Sequence, residues 1–260
     1  MLAEERQNQI LSLVNMHRSI SVTEIQRQLP VSRETIRRDL LLLAEQRKIR
    51  KTHGGAISLE SSEPELAVRL VTNKSGKQLI GRLAAELIED GSSVMLAAGT
   101  TVQGVSDALV GRRGLTVYSN CIATCSKLSG RNENAVHLIG GEIQPRNNAC
   151  MGRDATDMLA NYFADFAIIG AGAISAAGDV MDFSREEAEF NKLMMRSAKT
   201  VIVVADHQKL GRVAPVRVQS LKSATYLVTD NEPETGLSKT IAGLGAKVVW
   251  GVAGNAAKAR

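Results

Sequence analysis

Apolar residues recur along this chain at two different spacings, and the change from one to the other divides it. In the first part the spacing is helical. Over Arg6–Asn15, Ile10, Leu13 and Val14 fall on one face, behind Glu4 and Glu5, acids suited to a helix's first turn. Ser21 or Thr23 starts a short second helix around Glu24–Gln28, with Ile25 and Leu29 inward. Pro30-Val31 breaks the chain, and Ser32 is placed to N-cap a third helix running to about Gln46. In that helix Ile36, Leu40 and Leu43 share a face that predicts burial, while Arg33 and Arg37, with Arg38 beside them, share another. Two short helices joined by a tight turn, the second one basic, predict a helix-turn-helix. Ile49–Lys51, the Gly54-Gly55 turn and Ala56-Ile57 add a small hairpin, which makes the module (residues 1–57) a winged helix-turn-helix.

Residues 58–72 open with Ser-Leu-Glu-Ser-Ser-Glu-Pro, polar and without period, and are expected to be a linker. From residue 73 to 260, short apolar runs alternate with helical patterns. The strands expected are Ser93–Ala97, Leu115–Tyr118, Val136–Ile139, Phe166–Ile169, Thr200–Ala205, Thr225–Val228 and Lys247–Trp250. The helices expected are Gly76–Glu89, Thr101–Val110, Asn120–Ser129, Asp154–Phe163, Arg185–Ala198 and Glu234–Leu244. Such alternation predicts an α/β domain with a mostly parallel sheet. The Ala-rich Val252–Arg260 stretch reads as a frayed tail.

Composition narrows the function classes. With 260 residues, 44% hydrophobic and 23% charged, the chain is globular rather than disordered. Aromatics at 3% are too few for broad stacking on single-stranded nucleic acid. There is no apolar run of the roughly 18 residues a membrane span needs, and Met1–Asn15 lacks a secretory apolar core, so a cytoplasmic protein is expected. Cys121 and Cys125 lie one helical turn apart with Cys150 distant, and His17, His53, His137 and His207 do not cluster, so neither metal nor cofactor is expected. Charge is the more telling feature. Residues 1–57 hold ten Lys/Arg against six Asp/Glu, an excess of four out of a net +5. That asymmetry points to a nucleic-acid partner for the first module. Arg33, Arg37 and Arg38 are suited to the major groove, and Arg50 and Lys51 to the phosphates beside it.

In open α/β sheets, ligands bind beyond the carboxyl ends of the strands. The loops at those ends are small or polar: Ala98-Gly99-Thr100-Thr101, Ser119-Asn120, Gly140-Gly141, Gly170-Ala171-Gly172 and Asp206-His207-Gln208-Lys209. Glycine lets backbone approach a ligand, and threonine hydroxyls with free N–H groups suit a phosphate. Asp182, Glu187 and Lys192 add a charged group near one helix start.

Arg6…Ile10…Val14, then Ser32-Arg33-Glu34-Thr35-Ile36-Arg37-Arg38-Asp39-Leu40, then His53-Gly54-Gly55-Ala56, resemble the N-terminal signature of DeoR-type bacterial transcriptional regulators. The resemblance implies that Ser32–Asp39 lies in the DNA-reading helix, with Ser32, Arg33, Thr35, Arg37, Arg38, Arg50, Lys51 and His53 at the DNA. Asp39 is expected to pair with a neighbouring arginine and orient it. It implies for the larger part a sensor domain similar to the ribose-5-phosphate isomerase and glucosamine-6-phosphate deaminase fold, responding to a phosphorylated sugar or polyol. Gly99, Thr100, Thr101 and Lys209 would then hold the phosphate and Asn120, Asp182 and Glu187 the hydroxyls. Ser119, Gly140, Gly141, Gly170 and Asp206 complete the expected site. The chain departs from many members in having Ala97-Ala98 where they have Asp-Ser, which removes a carboxylate. Met181-Asp182-Phe183 and Val204-Ala205-Asp206-His207 resemble the glycerol-phosphate repressor branch.

The expected function is a repressor of a sugar or polyol catabolic operon. It would bind double-stranded operator DNA as a homodimer or homotetramer and be released by a phosphorylated effector, without catalysis. The alternatives are a sugar-phosphate isomerase or deaminase with an appended DNA-binding module, in which Asp182, Glu187 or Asp206 is a general base, and a winged helix used for protein contacts alone.

Overall fold

A computed structural model describes residues 3–17, 19–46, 48–52, 54–58, 63–251 and 258–259. The chain packs as two compact units, Met1–Pro64 and Glu65–Arg260.

The first unit comprises α1 (Ala3–His17), β1 (Ser19–Ser21), α2 (Val22–Gln28), α3 (Arg33–Glu45), β2 (Ile49–Lys51) and β3 (Gly55–Ser58). Ser21 and Glu24 form a reciprocal capping box at α2, and the Ser32 hydroxyl accepts from the Thr35 N–H at α3. Ile10, Val14, Ile25, Ile36, Leu40 and Leu43 form the core, as their helical spacing requires. The hairpin β2–β3 gains a strand not visible in the sequence, because β1 pairs antiparallel with β3. Gly55 permits this pairing: a Cβ there would lie 2.1 Å from the Ile20 carbonyl oxygen.

The second unit runs α4 (Leu66–Val71), α5 (Lys74–Glu86), β4 (Ser93–Leu96), α6 (Thr100–Ala108), β5 (Thr116–Ser119), α7 (Ile122–Leu128), β6 (Ala135–Leu138), β7 (Glu142–Gln144), β8 (Ala149–Met151) and α8 (Arg153–Leu159). It continues with β9 (Ala164–Gly170), β10 (Ala173–Ile174), β11 (Asp179–Asp182), α9 (Arg185–Arg196), β12 (Ala198–Val204), β13 (Val216–Ser220), β14 (Tyr226–Thr229), α10 (Thr235–Leu244), β15 (Lys247–Trp250) and β16 (Lys258–Ala259). The main sheet has the order β16-β15-β14-β12-β9-β4-β5-β6. All its pairings are parallel except the one between β15 and β16. Its parallel strands are the seven that the sequence predicts. Val94 and Leu96 face α5 and α6 on one side, Met95 and Ala97 the layer of α8 and α9 on the other. Burial of both faces explains why these strands read as continuous apolar runs.

Two expectations are corrected. The second half of residues 58–72 forms a helix, α4. The stretch read as a frayed tail contains β16, whose Lys258 pairs with Trp250. Two small sheets, β7–β8 and β10-β11-β13, occupy segments to which the sequence assigns no element.

Candidate functional site

In the first unit, α3 turns Arg33, Arg37 and Arg38 outward while Ile36, Leu40 and Leu43 hold its other face in the core. Arg50 and Lys51 on β2 are exposed too. Arg33 Nε donates to Gln26 Oε1 of α2 at 2.8 Å, so the two helices jointly present this guanidinium. Ser32 and Thr35 bond each other, hydroxyl to hydroxyl at 2.8 Å, and cap the helix. Asp39 is buried, and its partner is a correction to the sequence reading. It receives Arg6 Nε at 2.6 Å, Arg6 Nη2 at 3.1 Å and Gln7 Nε2 at 3.2 Å, all from α1. The carboxylate therefore clamps α3 to α1 and orients no arginine of α3 itself. His53 lies outside the described residues.

In the second unit, the loops after β9, β4 and β12 converge. Gly99 has φ +145°, a backbone that side chains rarely adopt, and it starts α6 with no side-chain cap. No side chain therefore takes up the first-turn N–H groups of α6. Thr100 is buried and Thr101 half-buried beside it. Gly170 on the adjacent strand lies against Val102 of the same helix, where a Cβ would stand 3.7 Å from the valine methyl. Asp206 is buried, and its Oδ1 accepts from the Gln208 N–H at 3.0 Å. That turn places the Lys209 ammonium 5.9 Å from the centre of the Phe183 ring. Asp182 is also buried; it accepts from the Phe183 N–H at 2.8 Å and Asn191 Nδ2 at 3.2 Å. Burial pushes its carboxyl above the usual range, against those bonds, one from Glu187, and the charge of Lys209. Asp182, Glu187, Asp206 and Lys209 therefore form one group.

Other residues proposed from sequence do different work. Asn120 is fully buried, with Oδ1 accepting from the Ala98 N–H and Nδ2 donating to the Cys150 carbonyl, both at 3.0 Å. Ser119 Oγ donates to the Leu96 carbonyl at 2.7 Å and accepts from the Cys121 N–H. Both side chains fasten the loops together. Gly141, with φ +144°, lets the backbone pass Met151 and Ala155 at the β7–β8 hairpin. Gly140 donates its N–H to Met158 Sδ.

The sequence reading missed a basic pair. Arg69 of α4 and Lys77 of α5 are 8% and 7% exposed. Lys77 Nζ donates to the Arg69 carbonyl, and Arg69 Nη2 donates to Asn147 Oδ1 in the β7–β8 turn. Burial pulls the Lys77 ammonium below its usual range; Asp206 opposes this, while Lys209 and Arg69 add to it. The pair therefore sits within electrostatic reach of the Asp206–Lys209 turn. A signal existed, since Lys77 lies on the helical stripe of Ile80 and Ala84. Nearby, Asp230 accepts from Asn73 Nδ2 and the His207 ring, each at 2.8 Å. Burial alone would raise this carboxyl, but the bonds from Asn73 and His207 outweigh it and hold it below the usual range. A separate cavity of about 530 Å³ lies at α10 and β15, lined in part by Glu232, Glu234, Lys239 and Trp250.

A family model described as a DeoR-like helix-turn-helix domain matches residues 6–62, and one described as the DeoR C terminal sensor domain matches residues 72–231. The chain belongs to the DeoR family. Relatives within reach of this assignment span nearly its whole length. The glycerol-3-phosphate regulon repressor of Escherichia coli (strain K12) is 31% identical over 91% of this chain and 94% of its own. The HTH-type transcriptional repressor GlcR of Bacillus subtilis is 36% identical over 90% of each. The HTH-type transcriptional regulator GolR of Listeria innocua is 30% identical over 94% of this chain and 98% of its own. Among solved structures, ribose 5-phosphate isomerase A from Methanocaldococcus jannaschii matches 54% of this chain and 55% of its own at 17% identity, with a TM-score of 0.40. So low a score adds nothing to the sheet order given above. α2 and α3 lie within the helix-turn-helix match, and the strand-end group lies within the sensor-domain match. Among the described residues no helix is long and apolar enough to cross a membrane.

Proposed function

We propose that this chain is a transcriptional repressor whose head binds operator DNA and whose sensor domain releases it on binding a phosphorylated sugar or polyol. The observation that carries the reading is the pairing, in one chain, of an outward-facing basic helix with a strand-end group built around an uncapped helix start and buried bases. Exposed Arg33, Arg37, Arg38, Arg50 and Lys51 supply groove and phosphate contacts. One recognition helix reads too few base pairs for useful specificity, so the working form is a symmetric oligomer on half-sites about one DNA turn apart, roughly 34 Å. The effector contacts are Gly99, Thr100, Thr101, Glu187 and Lys209, with Asp182 and Asp206 holding the loops that carry them. Release requires the effector to bind the DNA-free arrangement more tightly, by a coupling of about 1–3 kcal/mol. No catalytic step is assigned.

The reading is supported by these relatives' names and tested by ligand-dependent melting. Sugar and polyol phosphates are compared with their unphosphorylated parents on the full chain. A ligand at 100 times its Kd stabilises by about 2.7 kcal/mol, so a phosphorylated effector raises the melting temperature and its parent does not. Equal shifts from parent and phosphate would contradict the reading.

A further inference from the structure

Two of the outward arginines of α3 are held in different ways. Arg33 Nε donates to Gln26 Oε1 of α2 at 2.8 Å. Arg37 Nη1 lies 3.8 Å from Glu34 Oε2, beyond hydrogen-bond length, with both side chains more than half exposed. The acceptor for Arg33 is itself firmly placed. Gln26 follows buried Ile25 in α2, a helix whose start is locked by the Ser21–Glu24 capping box. The turn into α3 is closed by the Val31 N–H on the Leu29 carbonyl at 2.8 Å, and Ser32 caps α3 directly before Arg33. The Gln26 amide is neutral, so it fixes the guanidinium without cancelling its charge, unlike the Asp39 carboxylate that takes up Arg6. A guanidinium carries five N–H donors in a planar fork. The bond to Gln26 engages Nε–H and leaves the Nη1 and Nη2 end of the fork for a ligand.

We propose that Arg33 reads a guanine in the major groove and that Gln26 is its positioning residue. This rests on the reading that α3 enters the major groove of operator DNA, where the first residues of a recognition helix meet base edges. Arg33 is the first residue of α3. Guanine presents O6 and N7 there as two adjacent acceptors, which match Nη1 and Nη2 of one guanidinium. Adenine sets a donor beside its N7, thymine a methyl beside its O4, and cytosine a donor, so none of them satisfies both nitrogens. A free arginine gives up rotamer freedom to make this contact. One already held by Gln26 gives up less, and turning it away from the base costs a hydrogen bond. The fixed fork therefore selects a base, whereas the loosely held Arg37 suits a phosphate, which positions the protein without reading sequence. Sequence discrimination by α3 then depends on a residue of α2 that need not touch a base.

The test uses the full chain and Gln26→Met, which keeps the length of the side chain and removes the acceptor. Duplexes selected by the wild type from a random-sequence library give its preferred site, and affinities are then measured with each base at every selected position, at two salt concentrations. The wild type prefers guanine at one position of each half-site by about 5- to 150-fold, and Arg33→Ala abolishes that preference and no other. Gln26→Met reduces the same preference by about 2- to 12-fold, the worth of one hydrogen bond, with the salt dependence unchanged. Gln26→Glu, which retains the acceptor, keeps the preference even where overall affinity falls. In the Arg33→Ala background Gln26→Met has no further effect on base preference. If Gln26→Met does not fold, Gln26→Ala takes its place. Base preferences unchanged by Gln26→Met overturn the proposal and leave DNA binding intact. An equal loss on every sequence makes Gln26 a phosphate contact, and an effect that persists without Arg33 makes it a structural or direct base contact; each overturns the proposal. A wild type with no base preference at all overturns the operator reading as well.

Discussion

The α5–α6 crossing makes a sharp prediction about two chemically identical substitutions. A Cβ on Gly81 would stand 2.1 Å from the Gly104 carbonyl oxygen and 2.4 Å from its carbon, and one on Gly104 would stand 2.6 Å from the Lys77 carbonyl oxygen. The obstacle is backbone on both sides, so nothing flexible can yield and the helices must separate. Overpacking of this kind costs about 1–3 kcal/mol, and the short distances put Gly81→Ala at the upper end. For a unit the size of Glu65–Arg260, each kcal/mol moves the melting temperature by about 2–4 °C. Gly81→Ala should therefore melt about 6–12 °C lower. Gly243→Ala is the control: it lies in α10 with nothing within 4 Å of its Cβ position. Helix propensity alone gives up to about 1 kcal/mol there, so this variant should match the wild type or melt slightly higher. Scanning calorimetry of both variants reads the difference. Gly81→Ala should also weaken effector binding, since α6 begins at the Gly99 loop. A Gly81→Ala protein melting within 2 °C of wild type would refute the backbone contact and the argument built on it.

Arg37→Ala should weaken DNA binding and flatten its salt dependence, leaving effector affinity unchanged; equal loss of both would contradict the division into head and sensor. Asn120→Ala should lower the melting temperature in ligand-free protein, because it orphans the Ala98 N–H and the Cys150 carbonyl at about 1–3 kcal/mol for each group left unpaired. A normal melt with effector affinity lost would restore Asn120 as a ligand contact. Burial pushes the Cys125 thiol up to about 11, so at pH 8 a soluble maleimide should leave it unmodified in the native protein and label it only after unfolding. Asp165 is held well below the usual carboxylate range, chiefly by Lys199 and then Ser93. Its contribution is complete above the unfolded value, about 3.9, and lost as pH falls toward the folded one. The melting difference between wild type and Asp165→Asn should be constant from pH 7 to about pH 5 and shrink below about pH 4. A difference that grew on acidification would contradict the ion pair.

What the sequence made legible was local. Ser32 is a cap because a hydroxyl follows a proline break, and Ile36, Leu40 and Leu43 are core because their spacing puts them on one face. The parallel strands stand out because both their faces are covered. The illegible parts depend on partners far along the chain. Asp39 finds its arginine 33 residues away on α1, not on its own helix. Asn120 and Ser119 have the chemistry of ligand contacts, and only the path of the β7–β8 hairpin and of β4 shows that they also tie these loops together. Arg69 lay in a stretch that its polar beginning marked as linker, and a lysine inside an amphipathic helix usually lies at the surface. Lys77 betrayed itself only by standing in the apolar stripe, a sign that becomes chemistry once Asp206 and Lys209 are folded beside it.

The account stands or falls on coupling between the two units. Duplexes selected by the full-length protein from a random-sequence library would be titrated with it, in fixed salt, with and without phosphorylated sugars and polyols and their unphosphorylated parents. The account predicts a selected sequence with two-fold symmetry, and one phosphorylated compound that lowers DNA affinity about 5- to 150-fold while its parent does nothing. Sequence-specific binding that no phosphorylated compound alters, or release by the parent compounds alone, would contradict it.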